Sequence, residues 1–462
     1  MKTTQSIGSF ASWFEGFAGI PRGGFFGRPA WVDATKAPGH TSQTKELGLA
    51  KTMHSFMTGS FFFFSPNLVW CFISVALYVC FPYDIEEAAK GWSFGWVAKR
   101  IAIISGLAGA YYTFFFATLY GQGCAKRKFR PGTSPSASNM AHNLWYWCLG
   151  VLQWSLSECA MVRLWATGAV PYVPNREVLQ SPLQLAVLLA LVLAMPIWRE
   201  VHFYFAHRFI HIRAVYKYVH SVHHRNTDPE PFSGLCMHPF EHLLYFSNAL
   251  LPTLLLPVSP FVYTWLFTHL GLAPAAGHSG FEDHWQADQY HYIHHAKFEC
   301  NYGSPQSAWI DQFFGTFREK LGASGDYKGE YKEDYVSKAA DSNNKVWSSQ
   351  SHIGLQRGDQ LCFTSYCCIA ALSVFWAAAF NAPSAAPITH IGLLPIGTAV
   401  GAIVSYGPVV VALLLCAVYD KMSWRWPFHK EKLLGAFGFF AFAGWAACLL
   451  PVYKFVSLLC TP

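Results

Sequence analysis

Charge is what this 462-residue chain is short of: Asp, Glu, Lys and Arg make up 13% of it, against about 25% in an ordinary soluble domain. The charges are missing in long blocks, and about 20 consecutive apolar residues suffice to cross a hydrocarbon core of about 30 Å. With 53% hydrophobic and 17% aromatic residues, disorder is excluded and a purely water-soluble enzyme is disfavoured. Other absences narrow the field. The 13 cysteines include no CxxC pair, and most sit in apolar stretches, where small buried thiols are the ordinary reading. No Gly-rich dinucleotide fingerprint and no HPGG-like haem segment occur, so a fused reductase or cytochrome domain is not expected. The first 50 residues lack a basic region followed by a clean apolar run, since Glu15 interrupts the one candidate; the first span, rather than a cleaved signal, is expected to act as anchor. Net charge is +7, but the excess is scattered, which makes nucleic acid a poor partner.

What remains predicts an all-α, multi-span membrane protein with a cytosolic, histidine-rich, di-metal helical cap. Apolar segments recur near residues 56–82, 101–121, 141–168, 183–198 and 243–272, then at 360–380, 390–418 and 433–453. The basic cluster Lys126, Arg127, Lys128 and Arg130 follows an apolar span and marks the cytosolic side. Counting spans from there brings Arg199 and the first histidines to that same face. Segment 243–272 contains Pro252, Pro257 and Pro260 and is predicted to be a re-entrant hairpin, because a straight span would separate two halves of the histidine set. The expected organisation is an N-terminal cytosolic segment (1–55), membrane spans 1–4 (56–198), a catalytic domain (199–320), a cytosolic linker (321–358) and C-terminal spans (359–462).

Of 20 histidines, most fall between His202 and His295. They form HRFIH (His207, His211), HSVHH (His220, His223, His224) and HYIHH (His291, His294, His295). Spacings of three and four confine each set to an arc of roughly 100° on a helix. A lone histidine is ordinarily a solvated or hydrogen-bonded side chain, whereas three clustered sets point to metal. Eight imidazoles exceed what one four-coordinate zinc can use and suit two metals, each keeping an open position.

In this order and spacing the boxes resemble the sterol desaturase and fatty acid hydroxylase superfamily of integral membrane di-iron enzymes. Further strings are similar to that family's: Met237–His238–Pro239–Phe240–Glu241 to AHPxE, His278–Ser279–Gly280–Phe281 to HSGY, and Asn301–Tyr302–Gly303, Trp309, Asp311 and Phe314–Gly315–Thr316 to NYG…WD…FGT. Ile310 separates Trp309 from Asp311 and Phe281 replaces a tyrosine, which are departures. The resemblance covers about residues 199–320. It implies two iron ions, with His278 a ninth ligand and His238 a candidate tenth; His202, His242, His269 and His284 are weaker candidates. Glu241, Glu282, Asp283 and Glu299 are the carboxylates available to offset the metal charge, with Glu241 and Asp283 preferred behind the ligands. Glu200, beside Arg199, reads as an interface anchor.

The implied activity is O2-dependent oxidation of a membrane lipid at the endoplasmic reticulum. Electrons would come indirectly from NAD(P)H through a separate cytochrome b5 or reductase docking on the cytosolic face. The aromatic neighbourhood of Trp198, Phe203, Tyr204, Phe205, Phe240, Tyr245, Phe246 and Trp265 either lines a lipid channel or packs as ordinary membrane helices. The HPxE-like and HSG-like strings lean toward sterol chemistry, and the extra C-terminal spans resemble the alternative type of squalene epoxidase. Squalene epoxidation is therefore the leading expectation, with sterol C-4 methyl oxidation, C-5 desaturation or fatty acyl hydroxylation as alternatives. Two other classes remain: a membrane metalloprotease, because His238 to His242 spells HxxEH, and a non-catalytic metal transporter.

Overall fold

The computed structural model describes residues 20–21, 24–39, 64–314 and 316–319. The expected linker and C-terminal spans, and most of the N-terminal segment, lie outside the described residues. Within them every regular element is helical, and an isolated antiparallel bridge pairs Lys128 with Phe281.

Ahead of the first histidine box come α1 (Phe64–Cys80), the short α2 (Ile85–Ala89), α3 (Phe94–Phe116, continued by a π turn Ala117–Gly121), α4 (Ala137–Ala166), α5 (Asn175–Gln180) and α6 (Pro182–Ile210). Among the described residues, two helices are long and apolar enough to cross a membrane, Phe94–Gly121 and Pro182–Ile210. The second begins as the sequence dictates: Ser181 Oγ accepts the Gln184 amide, and Pro182 occupies the first turn, where its missing N–H costs nothing. Along α6, Leu185, Leu189, Leu193 and Ile197 are each at least 40% exposed at four-residue spacing, which is an outward apolar stripe rather than a core-facing one.

The apolar segment at 141–168 differs from a simple span. It belongs to the 30-residue α4, which buries Asn143, Ser155, Glu158 and Arg163. These polar groups have partners: Arg100 Nε donates to Glu158 at 2.5 Å, Trp154 Nε1 donates to the same carboxylate, and Arg163 donates to the carbonyls of Ala88 and Ala89. Buried charge is tolerated when it is paired in this way.

Downstream lie α7 (Arg213–Tyr216), α8 (Ser221–His224), a 3-10 turn (Pro231–Leu235), α9 (Pro239–Leu255), α10 (Pro260–Gly277), α11 (Gln289–Lys297), a 3-10 turn (Pro305–Ser307) and α12 (Ala308–Phe314). Pro257 and Pro260 mark a break in 243–272, where α9 and α10 pack against each other across a connection at 256–259, while Pro252 lies inside α9. Helix α10 is the centre of the packing, touching α1, α3, α6 and α9. Its Gly271 lies flat against Trp154, where a Cβ would come within 2.1 Å of the indole ring. Because α9 and α10 return the chain to its starting end, His278 at the tip of α10 meets histidines from α8.

Candidate metal centre

The histidines occupy helix ends. His207 lies in the last turn of α6 and His211 caps it; His220 precedes α8, which carries His223 and His224; His278 caps α10; His291, His294 and His295 ride on α11. Their ring nitrogens converge in two sets. His207, His211, His220, His224 and His294 form one, and His223, His278, His291 and His295 the other, with the nitrogens of each set within 4.8 Å of one another. None of the nine is more than 7% exposed. Neighbours in sequence part company: His223 and His224 fall in different groups, as do His294 and His295. Successive helical side chains diverge by about 100°, so each HxxHH box feeds both groups.

Hydrogen bonds fix the tautomers. The Nδ1 atoms of His207, His223, His278, His294 and His295 lie 2.7, 3.2, 3.0, 2.7 and 3.0 Å from the carbonyl oxygens of Tyr302, Cys236, Pro274, Cys300 and Asn226. A carbonyl only accepts, so each Nδ1 carries the proton and, in a neutral ring, each Nε2 presents a lone pair. Yet His278 Nε2 is 3.2 Å from His223 Nε2 and 3.1 Å from His295 Nε2. Lone pairs facing each other at that distance repel unless a cation lies between them. Two nitrogens about 2.1 Å from one ion are separated by roughly 3.0–3.4 Å. His291 Nε2 is likewise 3.0 Å from His278 Nε2 and 3.1 Å from His295 Nε2, and in the other group His207 with His220 at 3.1 Å and His294 with His224 at 2.9 Å have a similar edge length. Both ring nitrogens of His211 are buried without a hydrogen-bond partner, a further mark of a ligand position. The donor set therefore fits two cations, and imidazole suits iron, copper or zinc.

Burial keeps these rings neutral, the form that can bind metal. It pushes His223 down to about 4 and lowers His211, His220, His224, His278, His291, His294 and His295 well below the ordinary histidine value. Burial likewise raises the Glu241 carboxyl. Glu241 Oε1 sits 2.7 Å from His220 Nδ1, where it holds the distal side of a histidine of the first group.

Other expected residues lie elsewhere. His238 is a helix cap: Pro239 occupies the first turn of α9, leaving His238 outside the helix, and its Nδ1 accepts the Phe240 amide at 3.2 Å. It joins neither group. Asp283 does not stand behind the ligands; its carboxylate accepts the amides of Lys126 and Arg127 at 2.7 and 3.0 Å. Glu282 pairs with Arg127 and accepts the Gly39 amide. The basic cluster is thus tied to the loop after His278. His202 bonds Ser247, His242 the Leu235 carbonyl and His284 Ser279, so these rings have structural partners. With Glu241 on His220 and His242 turned to Leu235, the HxxEH string makes no zinc site.

Sequence reasoning missed the five backbone carbonyls, which no side-chain pattern announces. It also underrated Asp311, whose buried carboxylate accepts the Tyr302 and Gly303 amides, the Tyr290 hydroxyl and the Thr316 hydroxyl. That network shapes the loop whose Tyr302 carbonyl orients His207. A Cβ on Gly303 would lie 2.6 Å from Ser307 Oγ and 2.9 Å from Asp311. Ile310, the extra residue between Trp309 and Asp311, is fully buried against Val201, Tyr204, Phe205 and Tyr302. Phe281 packs edge-on to Tyr120.

A family model described as fatty acid hydroxylase matches residues 192–316, the stretch that carries all nine histidines. Residues 192–316 are a fatty acid hydroxylase domain. The chain is similar to a Delta(7)-sterol 5(6)-desaturase of Gibberella zeae, 28% identical over 132 residues, covering 27% of this chain and 41% of the relative. A Delta(7)-sterol 5(6)-desaturase of Candida albicans is 29% identical over 155 residues, 32% of this chain and 37% of the relative. Methylsterol monooxygenase 1 of Danio rerio is 29% identical over 139 residues, 28% of this chain and 47% of the relative. The chain thus spans less than half the length of these relatives. No solved structure matches. This kinship places the domain in the sterol desaturase and fatty acid hydroxylase superfamily.

Proposed function

We propose that the protein is a membrane-bound, O2-dependent di-iron oxidoreductase acting on a sterol-type lipid, by C-5 desaturation or C-4 methyl oxidation. The carrying observation is the pair of buried histidine groups with lone pairs facing one another. The relatives' names favour ring chemistry and lend squalene epoxidation, the leading expectation from sequence, no support. The outward leucine stripe of α6 and the apolar α3 support insertion in a bilayer; the proposal puts that bilayer at the endoplasmic reticulum, with the histidines toward the cytosol. Electrons would arrive from NAD(P)H through cytochrome b5 or a reductase.

His207, His211, His220, His224 and His294 would hold one iron, and His223, His278, His291 and His295 the other. Iron so held would supply activation of O2 for attack on an unactivated C–H bond. The protein's own share is positioning and exclusion of water. Carbonyls lock five rings in the metal-binding tautomer, burial keeps them neutral, and Glu241 offsets charge on the first group.

The test is complementation together with metal analysis. The full chain is expressed in yeast strains lacking sterol C-5 desaturase, C-4 methyl oxidase or squalene epoxidase, and sterols are read by mass spectrometry. Rescue of one of the first two, with about two irons per purified chain, supports the reading. Rescue of only the third moves the substrate to squalene. A protein that binds no redox metal and rescues none of the strains ends the proposal.

A further inference from the structure

The carbonyls that orient the second group are those of Cys236 for His223, Asn226 for His295 and Pro274 for His278. A single short stretch, 226–236, supplies two of them and abuts the third. That stretch is tied down by a side chain from outside the matched domain. Asn143, in α4, is 1% exposed. Its Nδ2 donates twice, to Asn226 Oδ1 at 2.9 Å and to Glu230 Oε1 at 2.7 Å, which uses both hydrogens of the amide.

Each bond leads to a ligand. Asn226 is the residue whose carbonyl accepts from His295, and its own Nδ2 donates to the His223 carbonyl at 3.3 Å. Glu230 caps the 3-10 turn Pro231–Leu235, accepting the Phe232 amide, while the Glu230 amide donates to Ser233 Oγ. The turn ends at Cys236, whose carbonyl accepts from His223. Within it, Gly234 lies so close to α10 that a Cβ would stand 2.6 Å from the Pro274 oxygen, the atom that holds His278. The partners of the first group, Tyr302, Cys300 and Glu241, all come from within 192–316.

We propose that Asn143 is a positioning residue for the four-histidine group alone, so that a helix outside the family domain sets one of the two metal positions. The inference rests on reading both groups as iron sites. Loss of its two hydrogen bonds frees 226–236 to shift, and His223, His295 and His278 shift with it.

The experiment counts iron in the full-length chain purified in detergent, with Mössbauer spectra distinguishing a coupled pair from a single ion. The wild type is expected to hold about two irons and Asn143→Ala about one. The remaining ion in Asn143→Ala disappears on adding His294→Ala and persists on adding His295→Ala. Ser155→Ala, a buried change in the same helix whose hydroxyl bonds only the Val151 carbonyl, keeps both ions. Asn143→Leu, which fills nearly the same space without either N–H, also drops to about one ion, and it decides the matter where Asn143→Ala does not fold. Two ions in Asn143→Ala or Asn143→Leu, a residual ion that depends on His295, or equal loss in Ser155→Ala overturns the proposal. A wild-type chain without iron instead ends the metal reading itself.

Discussion

The two histidine groups are built from the same boxes but supported differently. The five-histidine group has a carboxylate, Glu241, against His220, and contains His211, which has no hydrogen-bond partner at either nitrogen. Within the four-histidine group, His223, His278 and His295 are each held by a backbone carbonyl. One position therefore has a carboxyl group at hand that can give up its proton when a cation binds, and the other relies on dipoles and tight placement. Two ions ligated by imidazole keep about four positive charges, so the groups should differ in affinity, in acid sensitivity and in which substitutions disturb them.

The sharpest way to break this comparison uses adjacent residues. His294→Ala should empty the first group and leave the second, and His295→Ala should do the reverse, each bringing lipid oxidation to background. Iron counts and Mössbauer spectra of both variants check this; loss of both ions in either one would make the groups a single cooperative site.

Acid should act next, and on both groups. The folded-state values are depressed, to about 4 for His223 and in the same direction for its neighbours. Between that value and the usual 6.5 the unfolded chain binds more protons than the folded one, so stability rises with pH across the window. The stabilisation is present above 6.5 and is lost as pH falls toward 4. Thermal unfolding of chelator-treated protein at pH 7 and pH 5 should show the lower midpoint at pH 5, and iron retention should fall over the same range.

Glu241→Gln touches one group only. Partners behind metal-ligating histidines are worth on the order of 10–100-fold in affinity, so the first ion should weaken by about that factor while the second is unchanged. Competition with a chelator measures both constants, and equal weakening would show that the carboxylate serves the pair jointly.

Eight of the nine candidates could be read in advance because helical spacing is local: three and four residues put imidazoles on one side whatever the surroundings, whereas His278, which has no histidine at either spacing, came from the HSG-like string alone. Their division into five and four could not, since it depends on how α6, α8, α10 and α11 meet. Asp283 was counted among the carboxylates available to offset metal charge, yet its partners, the Lys126 and Arg127 amides, come from a loop over 150 residues earlier. Similarly, apolar composition marked α4 as a span but could not show that Arg100, from another helix, neutralises its Glu158. The helix break at 256–259 was legible because Pro257 and Pro260 interrupt helix geometry chemically, without help from tertiary contacts.

His238 gives the smallest expected effect and the cleanest control. Counting it as a tenth ligand followed from the HPxE-like string, but the proline after it already argued otherwise. Proline is favoured in the first helical turn, which leaves the preceding residue as the cap, its ring turned to the Phe240 amide rather than to the histidine groups. His238→Ala should therefore keep both ions and cost only the cap, about 0.5–2 kcal/mol on the scale of other capping side chains. His238→Asn should recover most of that loss, because asparagine caps well and its amide is a poor stand-in for an imidazole ligand. Thermal unfolding paired with iron counting separates the roles: a midpoint restored by asparagine with iron unchanged throughout marks a cap, whereas an ion lost in both variants would return His238 to the metal set.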